Sequence, residues 1–167
     1  MKGFLICLLL TGAGGSLQGQ TASLREWVRP DTVAKKVTIE LYAVHAAGAA
    51  APTLNGMSFG KVQVVVPLNW TVVLDWRNAD STAMHSFIVQ QEREKLPERA
   101  GEPAFQYAYS RTPVAGMAPG RTDQTQFVVD QAGWFWILCG VPGHAIGGEY
   151  ISLKVDASAT GVSVVAK

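Results

Sequence analysis

The chain has 167 residues, with 14 lysines and arginines against 13 aspartates and glutamates, for a formal net charge of +1. That balance, without a basic stripe, excludes nucleic acid or a strongly anionic surface as the governing partner. The length suits one domain with a real core behind a leader.

Residues 1–22 carry the pattern of a secretory signal. Lys2 supplies the positive end, Phe4 to Leu10 a short apolar run, and small and polar residues follow, with cleavage expected near Gly19 to Ala22. The apolar run is too short to span a bilayer as a mature helix, so membrane attachment arises only if the leader is kept as an anchor. The expected location is therefore periplasmic or otherwise extracytoplasmic. Residues 23–34 read as a linker or a short helix around Leu24 to Val28.

From Lys35 onward strand alternation replaces helical periodicity. Val37, Ile39 and Leu41 form one face, and Val62, Val64 and Val66 a second that stops at Pro67. Val72, Leu74 and Trp76 form a third, ending in the turn-like Asn78-Ala79-Asp80-Ser81. Then come Ser86 to Val89, Thr125 to Val129, Trp134 to Leu138 and Tyr150 to Val155. Short β-branched and aromatic runs between Gly, Pro, Asn and Asp clusters predict an all-β sandwich over 35–156. Ala46 to Thr53 reads as an Ala/Gly loop, and Gln90 to Gly120 as a long irregular excursion over the pole or flank of the domain. Residues 157–167 read as a tail or as an edge strand through Val162 to Val165.

The segment Cys139-Gly140-Val141-Pro142-Gly143-His144-Ala145-Ile146-Gly147-Gly148-Glu149 puts a thiol, an imidazole and a carboxylate on one short loop. If the leader is removed, Cys7 goes with it, Cys139 is the sole cysteine left and no internal disulfide can form. An unpaired thiol in an oxidising compartment is either a buried, inert side chain or one occupied by a partner such as a metal. Thiolate with imidazole is the donor pair that copper selects, and two glycines and a proline pre-set the turn between them. A second imidazole must come from elsewhere. His85, at the start of the strand Ser86 to Val89, can meet the loop at one pole of the sandwich. His45 reads as a solvated residue at the end of the first strand. Trp134 and Trp136 share a strand face opposite Cys139 and read as packing.

The loop Cys139 to Ala145 resembles the ligand loop of the cupredoxins, blue type 1 copper proteins, and is most similar to the sulfocyanin and rusticyanin group. The likeness extends to Leu54-Asn55-Gly56, Val66 to Val72 and Met84-His85-Ser86-Phe87. It implies a Greek-key β-sandwich that carries single electrons on one copper ion cycling between Cu(II) and Cu(I). It also implies that His85, Cys139 and His144 are the ligands and that the Ser86 amide hydrogen-bonds the ligand sulfur. One position departs from the family: Glu149 stands where the pattern has methionine. A hard carboxylate there either ligates, favouring Cu(II) and a lower potential, or swings into solvent.

Val141, Pro142, Ala145 and Ile146 are expected to form an apolar patch around the imidazole edge. Such a patch suits transient docking of redox proteins of the cytochrome or terminal oxidase type. Two other functions compete with the electron carrier: a copper site that binds or transforms a small molecule, and copper capture or delivery.

Overall fold

The computed structural model describes residues 26–45 and 51–167, and every regular element among them is a β-strand. The expected signal segment lies outside the described residues, as does most of the Ala/Gly loop. The alternating runs become β2 (Lys36–Val44), β4 (Val62–Pro67) and β5 (Thr71–Asn78). The later runs become β6 (Ile88–Gln91), β7 (Thr122–Val128), β8 (Gly133–Leu138) and β9 (Tyr150–Asp156). Three short strands complete the set: β1 (Val28–Asp31), β3 (Thr53–Leu54) and β10 (Ser163–Ala166).

The strands form two sheets. One runs β1-β2-β5-β7, with β3 also on β2; the other runs β10-β4-β9-β8-β6. The pairs β2/β5 and β4/β9 are parallel and the rest antiparallel, so the chain crosses between sheets instead of meandering. Burial follows the two-residue period. Val37, Ile39, Leu41, Val72 and Leu74 face Val64, Phe135, Ile137, Ile151 and Leu153 across one apolar core, as the inner faces of a sandwich must.

Residues 23–25 lie outside the described residues, and the described part of the expected linker or helix, 26–34, holds a strand. Val28–Asp31 pairs antiparallel with Lys36 to Ile39, and Trp27 and Val28 join the core, so apolar burial and a tight reversal win over any local helix tendency. At the other end Ser163–Ala166 is an edge strand on β4.

β8 is buried on both faces, which explains why its sequence shows so little alternation. Its outer face carries Trp136 and Leu138, which cluster with Ile88 and Ala145 under Leu96 and Ala100 of the excursion. Trp134, by contrast, is half exposed, with Lys154 and Lys167 about its ring.

Candidate metal centre

β8 and β9 pair antiparallel through Leu138 and Tyr150. One step further Cys139 N–H donates to the Glu149 carbonyl at 3.0 Å, so these two residues stand opposite each other across the hairpin. Alternation then points both side chains to the same interior side as Ile137 and Ile151. The intervening loop folds back on itself: His144 N–H donates to the Val141 carbonyl, Gly147 N–H to Gly143 and Glu149 N–H to His144. That winding returns the His144 imidazole over the Cys139–Glu149 pair. His85 arrives from the approach to β6, which pairs with β8 from Ile88 and Leu138 onward.

Four donor-bearing side chains converge as a result. The ligand atoms of His85, Cys139, His144 and Glu149 all lie within 4.8 Å of one another. Cys139 Sγ is 3.9 Å from His85 Nδ1 and 3.5 Å from His144 Nδ1. His85 Nδ1 is 2.9 Å from both carboxylate oxygens of Glu149, but only Oε2 has hydrogen-bond geometry, and Oε2 is also 3.1 Å from His144 Nδ1. Oε1 is buried without a hydrogen-bond partner. His85, Cys139 and Glu149 are fully buried, while the His144 side chain keeps 24 % of its surface exposed.

Burial, followed by the negative charge of Glu149, pushes the Cys139 thiol far above its ordinary range, although amide donors from Ser86 and Val141 pull the other way. Burial alone would lower the His85 imidazole; hydrogen bonds and charge from Glu149 and then Asp80 overcome it and leave the value raised. These groups fit a cation. A buried carboxylate with an orphan oxygen, a thiol and two inward Nδ1 atoms satisfy one another poorly, and a thiophilic metal ion would compensate the charge.

Ser86 is tied to the thiol side in three ways. Its N–H points at Cys139 Sγ at 3.4 Å, its hydroxyl donates to the Pro113 carbonyl at 2.7 Å, and the same oxygen accepts from Gly140 N–H at 2.9 Å. The excursion 90–120 does more than cover the pole. Ala100 N–H donates to the Gly140 carbonyl, Gly143 N–H to the Glu98 carbonyl, and Met117 exchanges backbone bonds with His85. A Cβ at Gly140 would strike the Pro113 carbonyl and sit 2.6 Å from Ala100 Cβ, so only glycine lets the excursion close on the loop.

Two residues near the centre escaped the sequence reading. Asp80 is buried, accepts from Thr82 and Ala83, and faces His85 Nε2 at 3.1 Å. Its signal was the Asp-Ser-Thr turn five residues before His85. Phe59 lies with its ring against Gly148, where φ is +108° and a Cβ would come within 2.6 Å of the ring. Nothing in the sequence marks that contact, because the two residues are remote in the chain.

One expectation needs correction. Ala145 is 1 % exposed and packs inward with Ile88, Trp136 and Leu138, so it is no part of a docking patch. The loop's winding turns its methyl toward the sheet, while Pro142 and Ile146 remain exposed. His45 is exposed, as expected, and its Nδ1 lies 3.7 Å from Asp80 Oδ2.

Comparison with known proteins agrees with this geometry. No curated protein matches the chain in sequence. Dithionite-reduced auracyanin from Roseiflexus castenholzii is 18% identical over 71% of this chain and 96% of that one, with a TM-score of 0.51. Copper nitrite reductase from Nitrosomonas europaea is 24% identical over 72% of this chain but only 41% of that one, with a TM-score of 0.53. Both likenesses are of fold. The model of the sulfocyanin (SoxE) domain matches residues 26–165. The chain therefore belongs to the sulfocyanin domain family, within the cupredoxins, and is a copper electron-transfer protein.

Proposed function

We propose that His85 through Nδ1, Cys139 through Sγ and His144 through Nδ1 hold the copper, with Glu149 as the fourth donor in place of the family's methionine. The observation that carries this reading is the orphan Oε1 of Glu149, fully buried beside two imidazoles and a thiol. Copper bound there supplies a one-electron Cu(II)/Cu(I) couple. Cys139 gives up its proton on binding, and so does the Nδ1 of each imidazole if it carries one. The hairpin pairing of Cys139 with Glu149 and the bracing by Ser86, Ala100 and Pro113 hold the donors in place in either oxidation state. Small reorganisation of that kind favours electron transfer.

Burial of three of the four donors supports a carrier over a catalyst, since it keeps exogenous small molecules out. His144 is the exposed member and forms the port. Val141, Pro142 and Ile146 share its loop, with Pro142 and Ile146 exposed, and Met84, Val114 and Phe59 add exposed apolar surface. Redox proteins of the cytochrome or terminal oxidase type dock there transiently, in an extracytoplasmic compartment reached through the N-terminal signal. The test is the visible and electron paramagnetic resonance spectrum of the copper-loaded protein and of its Cys139→Ala and His144→Gly variants. A thiolate-to-copper band that survives Cys139→Ala overturns the site. An azide-induced spectral change overturns the closed carrier.

A further inference from the structure

We propose that Asp80 is a positioning residue of the copper centre: it holds the Nε2 proton of His85, which fixes the imidazole's rotation and reserves Nδ1 for the metal. The inference rests on His85 being a ligand and goes beyond it. His85 is fully buried, so its ring is oriented by the protein groups packed around it. Its Nε2 lies 3.1 Å from Asp80 Oδ2, while Nδ1 faces Glu149 and the thiol. Two ring nitrogens thus meet two different carboxylates. When a metal takes Nδ1, the proton on Nε2 stays, because Asp80 accepts it.

Asp80 is itself held. Its Oδ1 accepts from Thr82 N–H at 2.7 Å, Thr82 Oγ–H at 2.8 Å and Ala83 N–H at 3.2 Å. Its own N–H donates to Asn78 Oδ1 at 3.0 Å, and Asn78 Nδ2 reaches the Ala83 and Met117 carbonyls at 2.8 Å each. Those donors occupy one carboxylate oxygen and leave the other aimed at His85. Three donors converging on Oδ1 favour the carboxylate over its protonated form. His45 Nδ1, 3.7 Å away, is a further group near Oδ2. A buried anion behind a ligand imidazole increases its donor strength and favours Cu(II) over Cu(I).

The bland alternative is that Asp80 only shapes the turn. Asp80→Asn separates the two. Asparagine Oδ1 can still accept from Thr82 and Ala83, so the turn survives, but Nδ2 then faces His85 as a donor. It puts the imidazole proton on Nδ1, against the metal. Expected in Asp80→Asn is a loss of about 10- to 100-fold in Cu(II) affinity. The loss should be smaller for Cu(I), so the potential rises by about 59 mV for each tenfold difference between the two.

Two measurements keep the test decisive if that variant fails to fold. Nitrogen NMR of the wild-type Cu(I) protein should show a protonated, hydrogen-bonded Nε2 on His85. Thr82→Val, which removes only the hydroxyl donor, should shift affinity the same way by less. A folded Asp80→Asn with Cu(II) affinity within about twofold of wild type overturns the proposal, as does an unprotonated Nε2. His85→Gly distinguishes the failures: if it keeps the blue band, the ligand assignment itself is wrong. If it abolishes the band while Asp80→Asn does nothing, only the role of Asp80 is wrong.

Discussion

Replacing Glu149 by methionine, or by uncharged glutamine of nearly the same shape, tests the residue that sets this chain apart from its family's pattern. The four donor atoms lie within 4.8 Å of one another, so an ion they share lies closer than that to the carboxylate. At about 4 Å and an effective dielectric constant of about 20, a unit charge is worth on the order of 4 kcal/mol. Removing that charge therefore raises the reduction potential by up to about 170 mV, using about 59 mV per tenfold change in equilibrium constant. Glutamine isolates the charge, and methionine adds a soft donor that favours Cu(I) further and sharpens the blue band. The assay is a spectroelectrochemical titration of the three copper-loaded proteins. A potential that moves by less than about 30 mV in both variants refutes the reasoning, because Glu149 would then not face the metal.

Other outcomes follow from the same geometry. Gly140→Ala should destabilise the protein by about 1–3 kcal/mol and speed copper release, since the new methyl meets the Pro113 carbonyl and Ala100; urea unfolding and chelator exchange report both. Metal-free protein should lose stability as pH rises. Cys139 and His85 both have raised folded values, so each contribution is full below the unfolded value and fades as pH climbs toward the folded one. The slope is about 1.4 kcal/mol per pH unit for each group in its window, which opens near pH 6.5 for His85 and near 8.5 for Cys139. Cys139→Ala should flatten the upper limb in urea melts of the metal-free protein at successive pH values. At the acidic end Asp80, whose folded value is depressed, contributes above about pH 3.9 and is lost as pH falls below it. Apparent copper affinity should rise with pH, because binding releases the Cys139 proton; a pH-independent affinity would mean the thiol is not a ligand.

The all-β class, the seven main strands along the chain and the pole where His85 and Cys139 meet were all legible from local pattern, because alternation and turn residues are properties of neighbours in the chain. So was the chemistry of the loop, since a thiol, an imidazole and two glycines sit within a few residues. Cys139 and Glu149 are also a legible pair once β8 and β9 are read as a hairpin, for antiparallel pairing sends opposite residues to one face. Tertiary structure decided what depends on distant segments. The Val28–Asp31 strand exists because β2 offers it an edge. Ala145 turns inward because Trp136 and Leu138 leave an apolar space beneath it. The excursion's bracing of Gly140 and Gly143 and the Phe59 ring on Gly148 are contacts between segments whose sequences carry no mark of each other. The sequence by itself determined which donors are present; packing of remote segments determined how they are aimed, because a side chain's direction is set by what surrounds it in space.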